Sequence, residues 1–423
     1  MRRVSGDEGT ATLASNQMND RRGADHHSVR LANLSLVLEE LRRHGPASRA
    51  EIAARVGLAR PTLTRLVGEL LDLRLVREAG QSGGRPGRPG TMVEIDGAHV
   101  FAVGAEINVD AITLIVHDLA GTERARRRAA LDARRVGPEA SVRRLAALLG
   151  DAVAEAARPL ERPPEIAGFA TAVPGLVDVE GGLLVNAPNL KWQRVPFASL
   201  LRHALGSDDV TVSIGNDGNF GALAEYWRGG SAGARHLVAI IGEVGIGAGA
   251  VVDGQLLTGS HGRALEVGHL VVDPGGPRCG CGRSGCWEAI VGLDAFLSSL
   301  GMPASGRRPE ALVKQVVALA RRKDSAALAA LERLGRFVGI GVANLINTFD
   351  PDVVVLGGYF THVATWLLPA LWQCVEAQVI VTDTPAEKLV VPSSLGFRAA
   401  ALGAALHAAE AVFSNPTLFA RPS

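Results

Sequence analysis

The residues best suited to chemistry lie in one short segment of the C-terminal half. Three of the four cysteines, Cys279, Cys281 and Cys286, fall within eight residues, and His269 lies ten positions upstream. Three thiolates and one imidazole form a closed tetrahedral set of N and S ligands, which zinc prefers. The glycines between the cysteines let the backbone turn tightly enough for all sulfurs to face one ion. The segment 269–288 therefore predicts a structural Zn²⁺ site; the alternative is a loop of reduced, unliganded cysteines.

A second set of polar residues is suited to binding hydroxyl groups. Asn216 and Asp217 follow a strand-like run and precede a helical one, and α/β sheets place ligands at such strand ends. A carboxylate there can accept a sugar hydroxyl's proton while the amide orients the hydroxyl; the alternative is a helix cap. Glu266 shares one turn with His269, and Glu288 follows the last cysteine. Because one imidazole nitrogen can hold the metal and the other a ligand, the pattern predicts a metal-braced ligand pocket.

These residues belong to an α/β body that spans residues 93–423. Strands and helices alternate there with glycine-rich junctions, and each of two halves opens with a strand–turn–strand hairpin, at 101–121 and 236–254. The pattern predicts two actin-like (ribonuclease-H-like) lobes with a cleft between them. The run at 394–409 closes the second half. Glycine runs at 245–249 and 357–358 suit close backbone approach to phosphates, although such runs also serve tight hairpins.

Residues 28–92 have the pattern of a helix-turn-helix. Apolar residues at helical spacing end at Gly45-Pro46, and Ser48 with Glu51 forms a capping box for a short second helix. Gly57 makes the turn to a third helix, in which Leu63, Leu66, Val67 and Leu70 face inward. In this motif the later helix enters the major groove of DNA. Its outward residues, the predicted DNA contacts, are Arg60, Thr62, Thr64 and Arg65.

The segment that follows predicts a winged hairpin. Two strand-like pieces flank a Gly/Arg/Pro tip that carries Arg85 and Arg88, and such arms can enter the minor groove. The alternative is an inter-domain linker, and both interpretations are compatible. Residues 28–92 carry a net charge of +5 within a chain of net charge +1, which favours nucleic-acid contact at this end.

Composition narrows the remaining classes. The 423 residues are 47% hydrophobic, which predicts a sizeable core beyond a disordered tail at residues 1–27. No run of about 18 apolar residues predicts a membrane span. The N-terminus lacks the apolar region of a secretion signal, and thiol-rich zinc ligation fits a reducing compartment, so we expect a cytoplasmic protein.

The motifs together resemble the ROK family of bacterial sugar kinases and sugar-responsive repressors. The strings PGLVD, APNLKW, IGNDGN, GIGAG, EVGH, CGCGRSGCWE and VVVLGG occur in family order across residues 93–410, and the helix-turn-helix with its GRP-rich wing matches the repressor branch. The resemblance implies zinc ligands at His269, Cys279, Cys281 and Cys286. It implies a sugar site made of Asn189, Asn216, Asp217, Glu266, His269 and Glu288.

Two departures from the family pattern bear on function. Kinases of the family open the body with an Asp-x-Gly-Gly-Thr hairpin that contacts ATP phosphates, but here Glu106, Ile107 and Asn108 stand in that hairpin. Side chains would fill the phosphate space, while Asp217 remains as a vestigial base. Leu265 replaces the glycine that usually precedes the glutamate, and we expect it to narrow the pocket or displace Glu266.

The sequence therefore predicts a non-enzymatic, sugar-responsive regulator of carbohydrate genes, most simply a repressor. Its expected partners are an approximately palindromic operator and a sugar or sugar derivative, and the expected assembly is a homodimer or homotetramer. The alternatives are an active ROK sugar kinase with an accessory DNA-binding head and an effector-independent regulator.

Overall fold

Two five-stranded sheets with the same strand order form the body of the chain, and a small three-stranded unit precedes them. The computed structural model describes residues 9–81, 90–207, 210–231, 233–302, 309–380 and 383–419. No helix among these residues is both long enough and apolar enough to cross a membrane.

The N-terminal unit, called the head, packs three helices on a sheet of order β1-β3-β2. The predicted capping box is confirmed: Glu51 N donates to Ser48 Oγ at 3.3 Å, and Ser48 N donates to Glu51 Oε2 at 3.0 Å. Gly57 ends the second helix with a left-handed φ of 70°, which creates the turn before the third. The elements are α1 (Gly9–His44), β1 (Ala47–Ser48), α2 (Arg49–Val56), α3 (Arg60–Asp72), β2 (Val76–Gln81) and β3 (Thr91–Ile95).

The head matches the sequence prediction in its core. The apolar faces predicted for the first and third helices are buried. α1 begins at Gly9, inside the segment 1–27 for which the sequence analysis expects a disordered tail, and that expectation stays a prediction. Arg85 and Arg88 lie outside the described residues, between the paired strands β2 and β3.

Lobe 1 follows the head after only four residues, 96–99. Its sheet has the order β11-β7-β4-β5-β6, and β8, β9 and β10 form a small second sheet. The strands are β4 (Val100–Ile107), β5 (Ala111–Asp118), β6 (Glu123–Ala130), β7 (Glu165–Val173), β8 (Leu176–Asp178), β9 (Leu183–Ala187), β10 (Trp192–Val195) and β11 (Val212–Asn216). The helices are α4 (Ala133–Ala157), α5 (Phe197–Leu205) and α6 (Asp217–Arg228).

Lobe 2 repeats this topology with the order β14-β13-β12-β15-β16, so the two predicted actin-like lobes are confirmed. In both lobes an antiparallel hairpin continues into parallel strands. The strands are β12 (His236–Gly242), β13 (Ile246–Val252), β14 (Gln255–Leu256), β15 (Val353–Gly358) and β16 (Val390–Pro392). The helices are α7 (Trp287–Val291), α8 (Leu293–Ser299), α9 (Pro309–Arg321), α10 (Ser325–Phe349), α11 (Phe360–Gln378), α12 (Ala386–Leu389) and α13 (Ala399–Ser414).

The last helix leaves the lobe from which it emerges. α13 follows β16 of lobe 2, yet it packs on α6 and on β4, β5 and β7 of lobe 1. Its alanine-rich surface also closes the hydrophobic core of the head, since Ala404, Val412 and Phe413 belong to one buried cluster with Leu38 and Leu70. The head and the body therefore share a core, although their sequences differ in composition.

The crossing of α13 and α6 depends on Gly403. A Cβ at this position would lie 1.6 Å from the backbone oxygen of Phe220. We expect Gly403→Ala to force the helices apart and to lower the free energy of unfolding by about 2–3 kcal/mol, at the upper end of typical overpacking costs. Urea melts followed by circular dichroism measure the change.

Gly150 is the matched control for this prediction, because it is also helical and a Cβ there meets nothing within 4 Å. Gly150→Ala should leave stability unchanged or raise it by up to about 1 kcal/mol. Equal effects of the two substitutions would contradict the close crossing.

Candidate functional site

A cleft of about 990 Å³ lies between the lobes, and all six residues predicted to bind sugar line it. Asn189 comes from the turn after β9, whereas Asn216 and Asp217 come from the junction of β11 and α6. Glu266 and His269 flank a single 3-10 turn, and Glu288 lies in α7. The structure thus brings together residues that are up to 99 positions apart; their contacts with a sugar stay predictions.

Asn216 and Asp217 have different roles in the structure. Asn216 is the helix cap: Asn219 N donates to its Oδ1 at 3.2 Å, and its Nδ2 donates to Gly175 O at 3.0 Å. Asp217 lies one position further, where Gly218 N donates to its Oδ1 at 2.9 Å. Burial raises the pKa of Asp217 to about 7, and the negative charge of Glu266 contributes. Asp217 is therefore the better placed of the two to exchange a proton with a ligand.

The four predicted metal ligands converge. Their ligand atoms all lie within 4.8 Å of one another. Cys281 Sγ is 3.6 Å from Cys286 Sγ, and Cys279 Sγ is 3.7 Å from His269 Nδ1. A tetrahedral zinc ion with bonds of about 2.3 Å to sulfur spaces its sulfur ligands about 3.8 Å apart. The geometry and the donor set both fit such an ion.

The cysteine cluster is joined to the floor of the cleft through Glu288. Ile246 N donates to Glu288 Oε2 at 3.1 Å, and the other carboxylate oxygen lies 3.9 Å from Cys279 Sγ. Gly245 is required for this approach, because a Cβ there would come within 2.2 Å of Glu288 Oε2. His269 turns Nδ1 toward the cysteines, which leaves Nε2 as the nitrogen for a ligand. A metal at this cluster would hold two cleft residues in place.

Leu265 does not have the effect expected from the sequence. Its side chain packs against the core of lobe 2 and is absent from the residues that line the cleft, while Glu266 still lines it. The backbone at this position explains why the family usually has glycine there, since Leu265 has a left-handed φ of 66°. A side chain in this conformation costs about 1–2 kcal/mol. The departure is thus a backbone strain that leaves the pocket open.

The hairpin that departs from the kinase pattern is closed by side chains. Asn108 Nδ2 donates to Glu106 Oε1 at 3.0 Å and also to Glu243 Oε2. A small cavity of about 30 Å³ lies beside them. Burial raises the pKa of Glu106 to about 8, and the negative charge of Asp217 adds to that shift. Burial also raises the pKa of Glu243 well above its usual value, with Glu106 and Asp217 contributing. The sequence analysis missed Glu243, whose position in the second hairpin was the available signal.

The predicted recognition helix presents unpaired positive charge. Arg60, Thr64 and Arg65 are exposed on α3, and Thr62 is half-buried. Thr64 Oγ1 donates to Arg60 O at 2.9 Å, so this hydroxyl is engaged by the helix. Within the described residues Arg60 and Arg65 have no ion-pair partner. Several other arginines of the head do pair with acids, as in Arg30–Glu69, Arg49–Glu78, Arg55–Glu40 and Arg77–Glu94.

Comparison with known sequences identifies relatives along nearly the whole chain. The ROK family model matches residues 102–411, and a MarR family model matches residues 35–86. The xylose repressor of Bacillus subtilis is 30% identical over 381 residues, which cover 90% of this chain and 95% of the repressor. The DNA-binding transcriptional dual regulator NagC of Escherichia coli is 28% identical and covers 88% of this chain and 91% of its own length.

Solved structures show the same fold. A ROK family transcriptional regulator, described as a homologue of the Escherichia coli MLC protein, superposes with a TM-score of 0.72 and 24% identity, covering 92% of this chain and 97% of its own. A ROK family glucokinase from Streptomyces griseus, in complex with glucose and AMPPNP, superposes with a TM-score of 0.61 and 26% identity. It covers 73% of this chain and 99% of its own.

The buried acids predict a pH dependence of stability. Because the folded-state pKa of Glu106 is about 8, the folded state keeps a proton that the unfolded chain releases near pH 4–5. Stability is therefore greatest below that pH and falls as the pH rises toward 8, by up to about 1.4 kcal/mol per unit for one group. Glu106→Gln should flatten this slope in urea melts between pH 5.5 and 8.5.

Glu139→Gln, at an exposed position on α4, is the control and should keep the wild-type slope. An unchanged slope for Glu106→Gln would show that this carboxyl group is already ionised in the folded protein.

Proposed function

Because the chain belongs to the ROK family, we propose that it is a sugar-responsive transcriptional repressor that binds its effector without phosphorylating it. The observation that carries the proposal is the contrast within one cleft. The six residues suited to binding hydroxyl groups line an open cavity of about 990 Å³, whereas at the hairpin end of the same cavity the side chain of Asn108 bridges the acids Glu106 and Glu243.

The names of the relatives narrow the genes and the effector class. Since the relatives include a xylose repressor and the regulator NagC, we infer control of carbohydrate genes by a sugar or sugar derivative. Operator reading through a symmetric assembly requires an approximately palindromic site and a homodimer or homotetramer. Such a regulator works beside the chromosome, in the cytoplasm.

The cleft residues have separate roles in this proposal. The carboxylate of Asp217 accepts a hydrogen bond from one sugar hydroxyl, and Asn189 with the remaining N–H of Asn216 orients neighbouring hydroxyls. Glu266 and Nε2 of His269 bind a vicinal pair, and Glu288 closes the ring of contacts. A sugar held by both lobes favours one arrangement of the lobes. Only its difference in affinity for the two arrangements can drive release of DNA.

The head reads the operator through α3. Arg60 and Arg65 are the uncompensated charges of that helix, and Thr62 and Thr64 lie on the same outward side. Guanidinium groups form bidentate hydrogen bonds with guanine edges or bind phosphates. Because these two arginines have no intramolecular ion pair, DNA binding does not require one to be broken. Arg85 and Arg88, in the tip between β2 and β3, are proposed to enter the minor groove.

We assign Zn²⁺ to the cysteine cluster in a structural role. The three sulfurs and Nδ1 of His269 leave no coordination position open for a reacting water. The ion would supply the energy that holds the loop 269–288 folded. The chain's own residues then position His269 and Glu288 for the sugar.

The competing function is phosphoryl transfer, which the likeness to a glucokinase and the retained Asp217 favour. A triphosphate beside Glu106 and Glu243 would face steric exclusion, because the side chains of Glu106, Asn108 and Glu243 are joined by hydrogen bonds across the hairpin. With ATP and a panel of D-glucose, D-xylose and N-acetyl-D-glucosamine, we expect ADP release below about 1 s⁻¹, the low end for kinases. Faster turnover with any of these sugars would establish an enzyme instead.

Operator binding and sugar response should separate by mutation. We expect the protein to bind a DNA fragment from upstream of its own gene, measured by fluorescence anisotropy, and one sugar of the panel to release it. Arg65→Ala should weaken DNA binding about tenfold, because one good base contact contributes about 1–3 kcal/mol. Asp217→Asn should keep DNA binding and lose the response to sugar.

Arg135→Ala, an exposed position on α4 of lobe 1, serves as the control and should change neither property. DNA affinity that survives Arg65→Ala would move the recognition surface away from α3. Loss of DNA binding in Asp217→Asn would make that residue a structural one.

Loss of a metal ligand should lower both the metal content and the stability of the protein. Cys281→Ser deletes one of four ligands, so we expect the zinc content measured by atomic emission to fall and the melting temperature to drop by several degrees. Cys374→Ser, outside the cluster, should keep both values. A Cys281→Ser protein with wild-type metal content would refute the zinc assignment.

A further inference from the structure

One helix reaches from the cleft to the head. α6 begins at Asp217, which lines the cleft, and its last turn carries Trp227 and Arg228. A helix of 12 residues is about 18 Å long, so its two ends lie in different functional regions of the chain. The side chain of Trp227 lies against α1, the helix on which the head is built.

Arg42 of α1 makes that contact. Its guanidinium carbon lies 3.8 Å from the centre of the Trp227 ring and 4.3 Å from that of Phe413, so the group is held between two aromatic rings. Only 4% of its side chain is exposed. Its Nη1 is 2.6 Å from Glu410 Oε1 on α13 and 3.3 Å from Glu39 Oε1. A desolvated cation is attracted strongly to the face of an aromatic ring, so this contact holds α1 against α6 and α13.

The hydrogen bonding of this contact is incomplete. Four buried side-chain atoms of the described residues lack a protein hydrogen-bond partner: Glu39 Oε2, Arg42 Nη2, Asn219 Oδ1 and Glu225 Oε2. All four lie on α1 or α6. An unsatisfied buried polar group is costly. Glu39 Oε2 and Arg42 Nη2 belong to the contact with Trp227, and Asn219 Oδ1 and Glu225 Oε2 lie along α6.

α6 is packed closely against lobe 2 and against α13, so it behaves as a rigid element. A Cβ on Gly218, in its first turn, would lie 2.6 Å from Ala248 O of β13 in lobe 2. Further along the helix, Phe220 touches Gly403 of α13. Because packed helices are not continuously deformable, a change in lobe closure at the first turn is carried to Trp227 at the last.

We propose that α6 transmits the state of the cleft to the DNA-binding head, and that Arg42 and Trp227 are the residues through which it does so. The inference rests on the proposed function and adds the contact through which sugar binding and DNA binding are coupled. Both residues are positioning residues: neither touches the sugar site or the predicted DNA surface. Their removal should uncouple two binding events while each event alone persists.

Arg42→Met tests the proposal, since methionine keeps apolar bulk between the rings and removes the charge. Operator affinity is measured by anisotropy with and without D-glucose, D-xylose or N-acetyl-D-glucosamine at saturation. Couplings in regulators are typically about 5–150-fold. We expect this factor to fall to about 1–2 in Arg42→Met, while the separate affinities for operator and sugar each change less than about threefold. Trp227→Leu should give the same result from the other side of the contact.

Arg30→Met is the matched control, because Arg30 lies on the same helix and its ion pair with Glu69 stays within the head. It should retain the wild-type coupling factor. Full coupling in both Arg42→Met and Trp227→Leu would overturn the proposal, as would equal loss of coupling in Arg30→Met.

A second measurement needs no sugar, since coupling is reciprocal. Operator DNA alone should change hydrogen exchange at residues 216–219 in the wild-type protein and not in Arg42→Met. Failure of the wild-type protein to bind operator DNA would overturn the proposed function itself. Operator binding without any change at residues 216–219 would overturn only the coupling through α6.

Discussion

The body depends on how closely α6 approaches its neighbours. This helix lies against β12 and β13 of lobe 2 on one side and α13 on the other. Backbone contact on both sides requires positions without a Cβ, which Gly218 and Gly403 supply. The same approach sets the place of Asp217, because the first turn of α6 is pressed against β13 where the cleft begins. The close approach of α6 to its neighbours is therefore required both for the packing of the body and for the position of Asp217.

Different elements position the two ends of the cleft. The cysteine loop and α6 position Glu288 and Asp217, whereas Asn108 lies in the turn between β4 and β5 and contacts Glu243 of the second hairpin. If the proposed function holds, changes in these hairpins could remove phosphate binding without moving the residues proposed to bind sugar. Burial raises the pKa of Glu106 and of Glu243, which favours their uncharged forms and lowers the cost of placing both acids beside Asn108.

Local patterns predicted the parts of this structure that local forces determine. Helical spacing located the buried faces of α1 and α3, and residue type with spacing located the four cysteine-cluster ligands. Nonlocal contacts escaped prediction. Three such contacts each join segments over 100 residues apart. They are the packing of α13 on lobe 1, the hydrogen bond from Asn108 to Glu243 and the position of Arg42 between two aromatic rings. The effect of Leu265 was not predicted for another reason, because it lies in the backbone angle φ and not in the size of the side chain.

The core that α13 shares with the head has a consequence for protein engineering. A chimeric regulator made by cutting near residue 92 would carry a head whose inner surface has lost Ala404, Val412 and Phe413. Such a graft would expose apolar surface on both fragments and would be prone to aggregation. Exchange of heads between related regulators should therefore transfer the outer face of the C-terminal helix as well. The first and the last segments of the chain would have to be exchanged together for their shared core to stay filled.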